Sequence, residues 1–268
     1  MLKKLMKHEF RATLRVMAPV YLLLLATSVG ARFSISGLLE TDSGLLDLLG
    51  GLLMVAFIVA MAAVCLLTAF LMVYRFYRNL LRDEGYVMMT LPVSVHQQVW
   101  SKLLVGVVWC VATVVAVGAA LVILMMDLDM LEGIRRFGGE VWAFLSSEYG
   151  FDGVLILVEL AVLFVAAVCS TYLEFYCALA IGHSRPNHKL VWSIAAYFGM
   201  DVLFALAGNP FMKLLDATGV FKRVSQADFS VSQSVHMGLW IAMLVLVLAA
   251  AVYYALTTWF LKNRLNLE

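Results

Sequence analysis

Apolar residues fill six long stretches of the chain, and shorter segments between them carry most of the charged residues. A helix that crosses a bilayer needs about 20 predominantly apolar residues. Six stretches are near or above that length: Val16–Ser36, Leu48–Tyr74, Leu103–Met126, Gly153–Gly182, Leu190–Gly208 and His236–Leu261. The pattern therefore predicts an all-α membrane protein with six transmembrane helices.

The first residues, Met1–Arg15, have the pattern of an amphipathic helix. Apolar residues recur at helical spacing, and basic residues occupy the other side. The apolar set is Leu2, Leu5, Met6, Phe10 and Leu14, and the basic set is Lys3, Lys4, Lys7 and Arg11. We expect residues 1–15 to lie along the inner leaflet, held by anionic lipid, and residues 16–268 to form the six-span domain. The basic leader and Val29-Gly30-Ala31 also resemble a signal peptide, but we interpret Val16–Ser36 as a membrane span.

Two further polar segments are too long for simple turns. Asp127–Asp152 mixes apolar and charged residues, which favours a helix on the membrane surface. Pro210–Val235 follows a Gly-Asn-Pro sequence. That sequence predicts a break after the fifth span, followed by a helix pair before the sixth that is either partly re-entrant or interfacial.

The distribution of basic residues predicts the orientation of the chain. Most of the Lys and Arg residues fall in segments that share a side with the N-terminus. Cytoplasmic loops are enriched in these residues. We therefore expect both termini to be cytoplasmic and Asp127–Asp152 to lie outside.

Composition agrees with a membrane location and excludes several classes of protein. Hydrophobic residues make up 63% of the chain and charged residues 14%, against roughly 45–50% and 25% in soluble domains. Mean hydropathy is +0.94. A formal net charge of +1 argues against nucleic-acid binding. The four cysteines lie inside apolar stretches without a CxxC pair, so we expect neither disulfides nor a zinc site.

The Tyr74–Lys102 segment is the most unusual polar part of the chain. Arg75, Arg78 and Arg82 lie three and four residues apart and share one helical face. The acidic pair Asp83-Glu84 then interrupts the basic residues. A plain turn between two membrane helices needs none of this, so we expect a partner outside the membrane to bind the segment.

The second half of that segment predicts a sharp break and a new helix. The apolar patch Tyr86–Met89 precedes Pro92, which disfavours helix at Leu91. Ser94 stands three residues before Gln97, in the spacing of a capping box. A helix is therefore expected to start beside Ser94.

This segment resembles the cytoplasmic loop of type-2 ABC transporter permeases. The matching residues are Glu84-Gly85, Thr90-Leu91-Pro92-Val93-Ser94 and Lys102-Leu103-Leu104. In that family an acidic residue precedes a Leu/Thr-Pro-Val-Ser element, and a lysine opens the third membrane helix. Val95 and His96 stand where the family often has an arginine.

The resemblance implies that the chain is the permease subunit of an ABC exporter, with residues 75–102 as its coupling loop. A coupling helix around Asp83–Met89 would dock on a separate ATP-binding subunit that holds ATP and Mg²⁺. Two permeases and two ATP-binding subunits would form the pump, and we expect it in a bacterial inner membrane. The residues that the resemblance assigns to partner binding are Asp83, Glu84, Gly85, Met88, Met89, Leu91, Pro92, Val93 and Ser94.

The chain itself carries no recognisable catalytic motif. The glycine-rich loop with Lys-Ser or Lys-Thr that binds phosphate is missing from the sequence, and no Ser/His/Asp or Cys/His motif stands out. We therefore expect no enzymatic activity and no cofactor in this chain.

Three acidic residues, Glu159, Glu174 and Asp201, fall inside predicted spans. A charge at the bilayer centre costs at least about 2.5–3.5 kcal/mol. One interpretation is that these acids line a translocation path for substrate or protons. The other is structural, with Glu159 near the outer interface and the other two in contacts between helices. His183 and His188, in the turn after the fourth span, are expected to be solvated rather than to bind metal.

Two other function classes remain open on sequence grounds. One is a secondary transporter or channel driven by an ion gradient, with the three membrane acids as proton or cation sites. The other is a membrane scaffold or sensor whose cytoplasmic loop docks a signalling partner. A reading frame for an ATPase beside this gene would favour the ABC permease over both.

Overall fold

The computed structural model of the chain describes residues 2–35, 44–82, 85–86, 90, 92–126, 128–148, 151–217 and 230–264. The long elements in these ranges are all α-helices: α1 (Leu2–Ile35), α2 (Gly44–Leu81), α3 (Val95–Leu124), α4 (Leu128–Glu148), α5 (Phe151–Gly182), α6 (Lys189–Ala217) and α7 (Val231–Asn263). All except α4 are long and apolar enough to cross a membrane. The predicted fold class, an all-α multi-pass membrane protein with six spanning helices, is confirmed.

Helix α1 joins the predicted amphipathic segment and the first span in one helix of 34 residues, with Pro19 inside it. Its buried side holds Glu9, Thr13, Met17, Leu24, Ser28 and Ala31. Phe10 and Leu14, from the side predicted to face lipid, are exposed, whereas Glu9 is buried. Glu9 is buried because it finds cationic partners on other helices, as described below.

The segment after α3 forms the predicted helix. Helix α4 has 21 residues, and every side chain of it that is described is exposed. The exposed set includes the large apolar side chains Phe137 and Trp142. Exposed apolar side chains on a helix among charged residues fit the expected contact with a membrane surface.

The predicted break after the fifth span is wrong. Helix α6 continues through Pro210 and ends at Ala217. Proline removes only one backbone hydrogen-bond donor, and long membrane helices tolerate this loss where nearby groups satisfy the freed carbonyl. The predicted helix pair lies partly in residues 218–229, which are outside the described residues.

Helix α7 starts with a capping box that the sequence analysis did not identify. The Ser230 hydroxyl accepts a hydrogen bond from the Gln233 backbone N–H at 3.2 Å. In return, the Ser230 backbone N–H donates to Oε1 of Gln233 at 3.1 Å. Two otherwise unpaired donors at the helix start are thereby satisfied.

The chain divides into two compact units. The first comprises Met1–Arg75 and Gln97–Phe144. Its apolar core is formed by Leu24, Ala31, Phe57, Ala60, Val64 and Ala120, from α1, α2 and α3. Three hydroxyl groups also connect these helices: Thr113 in α3 lies 2.8 Å from Tyr21 in α1 and 2.8 Å from Thr68 in α2.

The second unit comprises Phe76–His96 and Leu145–Glu268. Helix α5 packs against both α6 and α7 in this unit. Tyr176 and Cys177 of α5 and Thr257 of α7 are fully buried. The last residues of α2 and the loop that follows it belong to this unit, together with α5, α6 and α7.

Candidate functional site

The α2–α3 loop, residues 82–94, is the first candidate site. Helix α2 ends at Leu81, and the Gly85 backbone N–H donates to the Arg82 carbonyl at 2.6 Å, which closes a turn. Tyr86 is 52% exposed. Helix α3 begins at Val95, directly after Ser94, as the sequence predicted.

Only part of the predicted partner-binding set can be located. Gly85 is buried, Pro92 and Ser94 are exposed, and Val93 is half-buried. The other members of the set, Asp83, Glu84, Met88, Met89 and Leu91, lie outside the described residues.

An aromatic stack attaches the beginning of the loop to α5. The ring of Phe76, near the end of α2, is parallel to the ring of Tyr176 to within 6°, with centroids 3.9 Å apart. Both side chains are completely buried. Stacked rings in a packed interior have little freedom to move apart. The stack therefore fixes the end of α2 against α5.

A second aromatic contact lies one residue further along. Tyr77 meets the imidazole of His183 edge to face, with ring centroids 5.4 Å apart. Arg82 lies 5.5 Å above the Tyr77 ring in a cation–π arrangement. These contacts place the turn after α5 directly beside the start of the α2–α3 loop.

His183 is buried, which contradicts the expectation of a solvated turn. Its Nδ1–H donates to the Leu179 carbonyl at 2.9 Å, since a carbonyl oxygen can only accept. Burial lowers the pKa of His183, and the nearby Lys189 ammonium lowers it further. The neighbouring Arg185, Pro186, Asn187 and His188 are exposed.

The other end of the loop is attached to α7. Nδ1 of His96, in the first turn of α3, lies 2.7 Å from the hydroxyl of Tyr254. The loop is thus bound at one end to α5 and at the other to α7. Both attachments lie within the second compact unit.

The three membrane acids fall into two separate clusters. Oε2 of Glu159 lies 2.7 Å from Nδ1 of His236 in α7, and its Oε1 accepts from the Trp240 indole N–H at 2.9 Å. Glu174 in α5 lies instead beside Asp201 in α6. The sequence analysis identified the three acids as candidate site residues. It did not identify His236 or Trp240 as partners of Glu159.

The Glu174–Asp201 pair is surrounded by aromatic hydroxyl groups. Tyr197 and Tyr253 both lie close enough to interact with the two acids. Two carboxylates in contact repel each other unless a proton or a cation lies between them. The α5–α6 interface therefore places two carboxyl groups side by side.

A buried cluster of three charged residues was missed by the sequence analysis. Nζ of Lys102 in α3 lies 2.7 Å from Oε1 of Glu9, and the Arg75 guanidinium of α2 lies 2.7 Å from Oε2. The Lys102 and Glu9 side chains are 5% and 8% exposed. One acid and two cations leave a net positive charge inside the first unit. Sequence reasoning placed Arg75 on a basic helical face and Lys102 in the family resemblance, but did not connect either residue with Glu9.

Metal binding has no support in the described part of the chain, where no three His, Cys, Asp or Glu side chains come together in a suitable group.

Comparison with protein-family models, with curated proteins and with solved structures finds no match to this chain. The function is therefore inferred from the residues and their geometry.

Proposed function

We propose that this chain is the permease subunit of an ATP-driven transporter of the ABC exporter type. In this proposal the six apolar helices contribute half of a translocation path, and a second permease contributes the other half. A separate subunit binds ATP and Mg²⁺ and docks on the α2–α3 loop. The setting is a bacterial inner membrane.

The observation that carries the proposal is the attachment of the loop at both ends. The Phe76–Tyr176 stack connects its beginning to α5, and the contact between His96 and Tyr254 connects its end to α7. A loop that serves only as a turn needs no such contacts. A loop that passes the motion of a bound partner to membrane helices does need them.

Glu84-Gly85 and Thr90–Ser94 resemble the loop of type-2 ABC permeases. In that family the loop docks on an ATP-binding subunit, and we therefore propose such a subunit as the partner. Exposed Tyr86 and Pro92 offer contact surface in that loop. The sequence has no phosphate-binding loop of its own, so the ATPase chemistry belongs to another chain.

Co-purification tests the proposal. The tagged chain is expressed with the products of its neighbouring genes and purified in mild detergent, and a soluble ATPase is expected in stoichiometric amount. Replacement of residues 83–94 by a Gly/Ser linker is expected to remove the ATPase. Replacement of residues 218–229, a segment of equal length predicted to lie outside, serves as the control and should retain it.

Purification of the parent chain without an ATPase would contradict the proposal. Retention of the ATPase by the variant that lacks residues 83–94 would contradict the assignment of the loop.

The contact between Glu174 and Asp201 favours one alternative, a transporter driven by a proton gradient. A proton held between carboxyl groups on α5 and α6 can couple their separation to an ion gradient. In sealed vesicles, this alternative predicts transport driven by a pH gradient without ATP, and loss of it in Glu174→Gln. The ABC proposal predicts transport only with ATP and the partner subunit.

A further inference from the structure

A groove of about 510 Å³ lies between α1 and α3 in the first unit. Its floor is apolar and is formed by Phe10, Leu14, Val105 and Val108. Its rim carries two cations, Lys7 and Arg11. A smaller depression of about 310 Å³ shares these two residues and adds Lys4 and His8. An apolar floor beside a cationic rim is the complement of an amphiphilic anion.

The positive charge of the rim is unopposed. Glu9 is the single acidic residue in Met1–Arg15. Its carboxylate is turned to the buried side of α1, where Lys102 and Arg75 bind it. In the part of the chain that the structure describes, no acidic side chain forms an ion pair with Lys7 or Arg11.

The depth of the groove fits the boundary between headgroups and acyl chains. Arg11 and Arg32 are separated by about 32 Å along α1 at 1.5 Å per residue, close to the roughly 30 Å of a hydrocarbon core. If these two arginines mark the two headgroup regions, Lys7 and Arg11 lie among phosphates. Leu14 and Val108 then face acyl chains, one turn deeper.

The floor of the groove is held in place by neighbouring side chains. The Phe10 ring stacks on the indole of Trp109 with centroids 4.8 Å apart. The indole N–H of Trp109 in turn donates to the Thr13 hydroxyl at 2.7 Å. A groove with a fixed floor does not have to be formed when a ligand binds, which favours affinity.

We propose that this groove is a binding site for a membrane phospholipid with an anionic headgroup. Lys7 and Arg11 bind the headgroup, with Lys4 and His8 beside it. One acyl chain lies along Phe10, Leu14 and Val108. The site does not depend on the transport activity proposed above.

Native mass spectrometry of the full-length protein in mild detergent tests the headgroup contact. The protein is titrated with phosphatidylglycerol and with phosphatidylcholine of the same acyl chains, and tighter binding of phosphatidylglycerol is expected. The double variant Lys7→Gln/Arg11→Gln should lose affinity for phosphatidylglycerol by roughly 25-fold, since each basic residue near a membrane surface contributes a factor of about five.

The control for charge is Lys262→Gln/Arg264→Gln. These two residues are exposed, lie outside the groove and are predicted to be on the same side of the membrane. The control should retain the affinity for phosphatidylglycerol. Equal loss in both double variants, or equal binding of the two lipids by the parent protein, would overturn the proposal.

A second pair of variants tests the acyl-chain contact. Val108→Phe places a ring in the groove and should weaken the first lipid bound severalfold, whichever headgroup it carries. Val114→Phe adds the same ring at an exposed position of α3 that does not line the groove and should have no effect. Unchanged binding in Val108→Phe would show that lipid does not occupy the groove.

Discussion

Oε1 of Glu9 in α1 lies 2.7 Å from Nζ of Lys102 in α3, and both side chains are buried. The two residues are 93 positions apart in the chain. Arg75 of α2 binds the second oxygen of the same carboxylate. A single acidic residue thus connects α1, α2 and α3.

Replacement of Glu9 by Gln is expected to destabilise the protein strongly. It would leave the Lys102 ammonium buried without its counter-charge, and removal of one partner from a buried ion pair typically costs about 3–5 kcal/mol. Thermal unfolding in detergent, followed by loss of the monodisperse protein, measures the effect.

The exposed ion pair of α4 supplies the control for this prediction. Glu132 and Arg136 are 3.1 Å apart, and their side chains are 69% and 76% exposed. Glu132→Gln should change stability by less than about 0.5 kcal/mol. A Glu9→Gln variant as stable as this control would show that the buried cluster is not an ion pair in the membrane.

Phe76→Ala is expected to separate partner binding from transport. The substitution removes the stack on Tyr176, a contact worth about 1 kcal/mol beyond the packing lost with the ring. If the proposed function holds, the ATPase still co-purifies because the loop sequence is intact. Transport per ATP hydrolysed should fall severalfold, since α5 no longer follows the loop.

The matched control is Phe70→Ala, which removes an exposed ring of α2 that stacks on Tyr74. Its transport per ATP should equal that of the parent. If transport per ATP hydrolysed is also unchanged in Phe76→Ala, the Phe76–Tyr176 stack does not pass the motion of the loop to α5.

Gly182→Ala is expected to disrupt the turn between α5 and α6. A Cβ atom at this position would lie 2.6 Å from the Lys189 carbonyl oxygen and 2.6 Å from the Ser193 backbone nitrogen, and closer still to the Ser193 hydroxyl. Backbone atoms cannot move aside at low cost, so α6 would have to shift. A lower yield of folded protein and a lower melting temperature are expected.

Gly199→Ala tests whether any helical glycine would behave in the same way. No atom lies within 4 Å of a Cβ at that position. Alanine also favours helix over glycine by roughly 1 kcal/mol, so this variant should be at least as stable as the parent. If Gly182→Ala and Gly199→Ala have the same yield and the same melting temperature, the close approach of the α6 backbone to Gly182 is contradicted.

The burial of His183 predicts a loss of stability in mild acid. Because the pKa of His183 is lowered in the folded protein, the unfolded chain takes up a proton first as the pH falls. His183 therefore makes its full contribution to the free energy of unfolding when the pH is above the pKa of the unfolded chain, about 6.5. This contribution decreases as the pH falls from that value towards the pKa of His183 in the folded protein.

The difference in melting temperature between pH 7.5 and pH 5.5 measures this effect. His183→Gln should show a smaller difference than the parent, since Gln can still donate to the Leu179 carbonyl but does not titrate. His188→Asn alters an exposed histidine with a positive φ of 53°, a conformation that Asn tolerates. The His188→Asn control should show the same difference in melting temperature as the parent. If His183→Gln also shows the same difference as the parent, the prediction is contradicted.

Local sequence signals predicted the helices well. Length and apolar composition identified the six spanning helices, and the Pro92 and Ser94 signals identified the start of α3 at Val95. The signals failed at Pro210, where the helix continues. Proline removes a single backbone hydrogen-bond donor, and at Pro210 this loss does not end the helix.

The candidate site was less predictable than the fold. The acids Glu159, Glu174 and Asp201 are noticeable in sequence because charge is rare in apolar stretches. Nothing in the sequence shows that His236 binds the first of them and that the other two meet each other. Glu9 was overlooked because it stands among basic residues in a segment with an amphipathic pattern.

The sequence by itself determined which segments are helices and which of these can cross a membrane. Those properties follow from the apolar character of consecutive residues and from backbone hydrogen bonds within each helix. The tertiary structure alone decided which side of α1 is buried, that Glu9 meets Lys102, and that Phe76 stacks on Tyr176. In lipid, apolar side chains are stable on any side of a helix, so packing and polar contacts between helices make that choice.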